Sequence, residues 1–133
     1  MKIIKDIFPP TAKRVELNTK DKVNDKIKRQ TMDNIASYTY KSKDNIATRM
    51  LELDEEWDIE RVLATNAASA IIISTILGFS ANKKWHYATG IVGAFLLQHA
   101  LHGWCPPVEI FRRLGVRTCS EINFEKEYLK SLL

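Results

Sequence analysis

Two long uncharged runs dominate the pattern along the chain. The first is Val62 to Asn82 and the second Trp85 to Val108, counting its three histidines as neutral. Only Lys83 and Lys84 stand between them. A bilayer core of about 30 Å needs about 20 mostly apolar residues per helix, and each run meets that length. The pattern therefore predicts a two-helix transmembrane hairpin with spans at about 61–79 and 85–104. At about 1.5 Å rise per residue, each span would be about 28 Å long.

The sequence before the hairpin is patterned differently. Thr19 is placed to cap a helix over Lys20–Ser37, with Val23, Ile27, Thr31 or Met32, Ile35 and Tyr38 on one face. Lys20, Lys22, Lys26, Lys28 and Arg29 crowd its other faces, so it reads as a solvated helix packing one stripe on a neighbour; a basic face on an anionic membrane surface is the alternative. Ser42 caps a second helix, whose stripe is Ile46, Met50, Leu53 and Trp57. Its acidic end, Glu52, Asp54, Glu55 and Glu56, reads as a solvated face. Residues 1–17, interrupted by Pro9-Pro10, read as an irregular lead with a small apolar cluster of Ile3, Ile4, Ile7 and Phe8. Asp58 is placed to cap the first span, with Glu60 in its first turn.

Beyond the hairpin, Cys105-Pro106-Pro107 stops the second span. Val108–Leu114 forms two amphipathic turns, with Phe111 and Leu114 on one side and Glu109, Arg112 and Arg113 elsewhere. Gly115 ends them, and Ser120 is placed to cap a last helix. The predicted fold is all-α: an N-terminal cytoplasmic segment over 1–57 whose two helices form a helical hairpin, a two-helix transmembrane hairpin in a membrane domain over 58–119, and a short amphipathic tail with a final helix over 120–133.

Composition sharpens this picture. Residues 1–57 carry 12 Lys/Arg and 10 Asp/Glu, whereas 62–108 carry only the two lysines of the turn. The net charge of +4 is too small, and too diffuse, to argue for nucleic acid. No apolar run precedes residue 62, so the first span would double as the insertion signal. Arg49, Arg61, Arg112, Arg113 and Arg117 flank the hairpin against two lysines in its turn, which places both termini in the cytoplasm. Trp57 and Trp104 would mark the inner interface, and Trp85 and Tyr87 the outer one.

Each span also carries a ridge of small and polar residues four apart: Asn66, Ala70, Ser74 and Gly78, then Gly90, Ala94, Gln98 and His102. Small residues let helices approach closely in lipid. The predicted pairs are Gly78 with Gly90, Ser74 with Ala94, Ala70 with Gln98 and Asn66 with His102. The same ridges could face a second copy, and a homodimer is expected over a monomer.

The block from Asp58 to Cys119 has a distinctive opening, Asp58-Ile-Glu-Arg61, and ending, Gly103-Trp-Cys-Pro-Pro followed by Leu114-Gly-Val-Arg-Thr-Cys119. It resembles the inner membrane protein YgaP-like transmembrane domain family, whose ending is Gly-x-Cys-Pro and then Leu-Gly-Ile-x-Thr-Cys. The resemblance implies a small two-span domain of a bacterial inner membrane that tends to dimerise. In some members it follows a rhodanese, a sulfurtransferase, which makes such an enzyme an expected partner. Here the first 57 residues contain no cysteine and so no rhodanese. Asn66-Ala67 also stands where an arginine and a glycine are expected.

Three groups could carry chemistry. Cys105 and Cys119 are too few for a disulfide framework, but Arg112, Arg113 and Arg117 nearby could favour thiolate. The pair could then accept sulfane sulfur, relay it, or form a redox disulfide; the alternative is two small structural residues. His99, His102 and Cys105 make H-x-x-H-x-x-C, too widely fanned on a helix for one tetrahedral metal, so no metal or cofactor is expected. There is no phosphate-binding loop, dinucleotide fingerprint, zinc-protease motif or nucleophile elbow. The expected role is a non-enzymatic membrane module, accessory to sulfur handling. A thiol-active sulfur relay or exporter, and a soluble bundle with the hairpin as its core, are the alternatives.

Overall fold

The computed structural model describes residues 7–133, and no strand occurs among them. Its helices are α1 (Arg14–Leu17), α2 (Asp21–Tyr38), α3 (Lys43–Glu55), α4 (Ile59–Ser80), α5 (Trp85–His102), α6 (Pro106–Arg113) and α7 (Cys119–Ser131). The all-α expectation is met. Ile3 and Ile4 of the apolar lead lie outside the described residues. Ile7 is exposed, and Phe8 packs edge-on against the His102 ring, centroids 5.3 Å apart.

Side-chain caps fix the starts of three of these helices. Ser42 Oγ accepts from Asn45 N, and Asp58 Oδ1 accepts from Arg61 N at 2.9 Å, as their positions predict. Two expected caps are displaced. Thr19 donates its hydroxyl to Val15 O and leaves Lys20 as the N-cap of α2. Thr118, rather than Ser120, caps α7 through a capping box: Glu121 N donates to Thr118 Oγ1 and Thr118 N donates to Glu121 Oε1. The lead also contains an unpredicted turn of helix, α1, whose Val15 is buried.

Helices α4 and α5 pack against each other in opposite directions. Glu60 meets His99, Ser74 meets Thr89 at 2.5 Å between hydroxyls, and Gly78 faces His86. This register lies about one turn from the predicted pairs. Ser74 and Gly78 are in the seam as expected, but opposite them are Thr89 and His86, not Ala94 and Gly90. Gly90 has open space where a Cβ would point, Ala94 is exposed, and His102 turns to Phe8.

The large apolar side chains of this pair point outward. Ile72, Ile73, Ile76, Ile91 and Leu97 are all more than half exposed, and Phe79 reaches 82%. A soluble bundle with the hairpin as its core is therefore not what forms. One helical stretch among the described residues, within Lys43–Ser80, is long and apolar enough to cross a membrane. Helix α5 falls short of that measure, because three histidines and Gln98 dilute its apolar residues.

The remaining helices gather at one end of the pair. Val15, Ile59, Leu63, Cys105 and Val108 form one buried cluster, with Phe111 and Val116 against it. Ile46, Leu53, Ile122 and Leu129 form a second, so α7 packs on α3, and it also contacts α2. The helices before and after the hairpin thus make one cap. Gly103 lets the chain leave α5: at φ +83° it adopts a left-handed conformation with Arg14 backbone atoms 2.5 Å from where a Cβ would sit.

Candidate functional site

Chemistry concentrates where the apolar pair meets the cap. The reason is visible in the sequence order: Glu56 and Glu60 lie just before and just inside α4, and Cys105, Arg112 and Arg117 follow α5 closely. Folding the pair back on itself brings these segments together.

Two buried arginines organise the cap. Arg112 is 1% exposed, yet every nitrogen of its guanidinium is satisfied. Nε donates to Thr19 Oγ1, Nη1 to Val116 O and Glu121, and Nη2 to Asn24 Oδ1 at 2.8 Å and Glu121 Oε2 at 3.1 Å. Arg117 donates to Glu56, to Glu125 and to Thr31 Oγ1. Glu125 is fully buried and also receives Arg49, at 3.0 Å. Burial alone would make Arg117 and Arg49 easier to deprotonate, but their carboxylate partners outweigh it and hold both above the ordinary arginine value. Burial likewise pushes Glu121 up, while Arg112 and the Thr118 N–H pull it further down, so the net position is below the ordinary carboxylate value.

This arrangement corrects two readings of the sequence. Arg112 is not on an outer face of α6: it lies inside with Val108, while Leu114 and Ile110 are exposed. Nor is the acidic end of α3 a simply solvated face, since Glu56 pairs with Arg117, Asp54 with Lys126 and Glu52 with Arg49. The S/T-x-x-E pattern at Thr118–Glu121 was the available signal for the α7 start.

Glu60 forms a second junction. It accepts from Arg14 Nη2 at 2.6 Å, and its other oxygen lies 2.9 Å from His99 Nε2. His99 is 2% exposed, and its Nδ1 is buried with no hydrogen-bond partner. Cys105 is buried beside it. Both side chains line a cavity of about 120 Å³ whose other walls include Leu63, Asn66, Ala70 and Phe95.

The two thiols occupy unlike places. Both are free. Cys105 is buried, and burial, with the Glu60 charge added, pushes its thiol above the ordinary value despite the Val108 N–H. Cys119 is exposed on the first turn of α7, 3.6 Å from Asn123 Nδ2. The arginines expected to favour thiolate are engaged with carboxylates, Arg113 with Glu109 among them. Of the two packing ridges, Ala70, Ser74 and Gly78 are partly or fully covered, Asn66 is exposed, and Gln98 is half-buried. No group of three or more histidine, cysteine or acidic side chains suited to a metal occurs among the described residues.

Comparison with protein families matches residues 58–121 to the family described as inner membrane protein YgaP-like, transmembrane domain. No curated protein matches the chain, and neither does any solved structure.

Proposed function

Because residues 58–121 belong to the inner membrane protein YgaP-like transmembrane domain family, we propose that this small membrane protein is a two-span module with a cytoplasmic helical cap and no catalytic step of its own. The observation that carries this reading is the outward belt of isoleucine, leucine and phenylalanine around α4 and α5. A soluble monomer rarely leaves so large an apolar surface uncovered, whereas lipid covers it without cost. Helix α5 carries its histidines in the seam or at its ends, which fits a second span despite its lower hydropathy. His86 faces α4, His99 is paired with Glu60, and His102 is in the last turn. The arginine bias places the cap, and both termini, in the cytoplasm of a bacterial cell.

Homodimerisation belongs to this proposal. Gly90 and Ala94 stand outside the hairpin's own seam and leave a shallow strip against which a second copy can pack. The sulfur-handling role is narrower. The exposed Cys119 is the thiol available to a docked sulfurtransferase; the second reading, a thiol-active relay or exporter, runs through Cys105 and Cys119 together. Burial of Cys105 opposes any relay that needs both thiols at the surface.

Fractionation tests the main reading. The expressed protein should stay with membranes through a carbonate wash and leave them only in detergent; recovery in the wash would overturn the two-span assignment. Alkylation of native membranes should then label Cys119 and spare Cys105. If neither thiol reacts, the relay reading fails.

A further inference from the structure

We propose that His99 Nδ1 and Cys105 Sγ form a two-ligand site for a soft monovalent metal ion, of which Cu(I) is the biological example. The site is independent of the membrane topology proposed above. It rests on a juxtaposition: a buried histidine whose Nδ1 has no partner and a buried free cysteine are both lining residues of one small cavity.

The histidine is already arranged as a ligand. Glu60, also engaged by Arg14, can only accept while ionised, so His99 Nε2 is the nitrogen that carries hydrogen and donates to it. In the neutral ring this leaves the lone pair on Nδ1. A carboxylate behind the far nitrogen of a histidine is the usual support of a metal-bound imidazole, since it fixes both tautomer and ring orientation. In a purely structural histidine at this depth, the second nitrogen would be expected to find a partner as well, because an unmatched buried polar atom costs about 1–3 kcal/mol.

The thiol and the walls select the metal. Thiolate sulfur prefers soft ions such as Cu(I). The other walls are mostly aliphatic and aromatic, Leu63, Ala70, Val92 and Phe95 among them, and the Asn66 amide is the one neutral side-chain oxygen donor beside them, too few for a hard cation that takes about six or more oxygens. A zinc site takes four ligands, and no cluster of even three is present among the described residues. A soft d10 ion such as Cu(I) is stable with two ligands. Binding replaces the thiol proton, which leaves to solvent as Cu(I) bonds to sulfur; no electron is transferred. The resulting thiolate–Cu(I) unit is neutral, so it suits an apolar cavity in which a bare thiolate is disfavoured.

The test uses the full chain in detergent under anaerobic conditions, with Cu(I) presented in competition with a chromogenic chelator. One equivalent per chain is expected. X-ray absorption on the wild-type protein should report one sulfur and one nitrogen neighbour. Cys105→Ser and His99→Gln should each weaken binding at least tenfold, with helicity checked by circular dichroism, while Cys119→Ser should bind as wild type. The proposal is overturned if wild type holds Cu(I) no more tightly than Cys105→Ser, if Cys119→Ser abolishes binding, or if the absorption spectrum shows sulfur neighbours only. The spectroscopic result stands on the unaltered protein even if a variant fails to fold.

Discussion

Arg117 links three helices through Glu56, Glu125 and Thr31, and Glu125 has no exposure at all. Removing one member of a buried ion pair typically costs about 3–5 kcal/mol, because the other is left charged and dry. Arg117→Met should fall near the low end, at about 3 kcal/mol, since Arg49 still reaches Glu125. Thermal unfolding in detergent measures it; a change below about 1 kcal/mol, the usual worth of a surface pair, would mean the network is solvated in practice. Acid acts on the neighbouring pair. The Glu121 carboxyl is held below its ordinary value of 4.5 in the folded protein. Its stabilising contribution is therefore complete above that value and disappears as pH falls through the lower, folded one. Glu121→Gln should flatten this part of the stability profile below about pH 4.5 and leave the neutral region's slope unchanged. At this scale the sequence was partly legible. Local bonds such as Ser42 to Asn45 and Asp58 to Arg61 depend on near neighbours and were readable. Arg112 was not, because its partners, Thr19, Asn24 and Glu121, come from separate segments, and nothing local distinguishes it from a solvated arginine.

At the scale of elements, Gly103 decides how α5 ends. A side chain there would face both a left-handed backbone, costing roughly 1–2 kcal/mol, and the Arg14 main chain 2.5 Å away. Gly103→Ala should therefore destabilise the junction by more than about 2 kcal/mol, read as earlier exposure of Cys105 to alkylation during denaturant titration. Equal protection of Cys105 in variant and wild type would show that α1 can move aside freely. The sequence predicted that the helix stops before Cys105-Pro106, but attributed this to the prolines alone; the glycine signal was present one turn earlier. That two apolar helices pack on each other was legible from the two runs, and their register was not. A spacing of four small residues repeats every turn, so it fits equally well after a slip of one turn. What selects the observed register is the His86 ring lying over Gly78, where a Cβ would come within 2.6 Å of it.

For the whole molecule, the register has an external result: Gly90 and Ala94 are left outside the pair. Gly90→Leu and Ala94→Leu should leave the helical content unchanged and weaken dimerisation, measured by sedimentation in detergent or cross-linking in membranes. An unaltered dimer would move the contact elsewhere, and a monomeric wild type would remove it. The cap was the least legible part of the fold. The stripes on α2 and α3 were clear, but they looked like two halves of a private hairpin. Their actual cover includes Ile122 and Leu129 on α7, separated from them in sequence by both apolar helices. No periodicity within any one segment encodes that return.

The cover supplied by α7 fixes an order of events. Helices α2 and α3 are synthesised first, yet α7 emerges only after α4 and α5 have left the ribosome. Until then Ile46 and Leu53 lack part of their packing, and Glu125 is not yet available to Arg49 and Arg117. In the two-span arrangement proposed above, a chain that made only one crossing would strand α7 on the opposite side from α2 and α3. Its cap would stay open, with apolar stripes bare to proteases and chaperones. In that arrangement the last helix would act as a proofreader, closing the cap only on molecules in which it reaches the side where α2 and α3 lie.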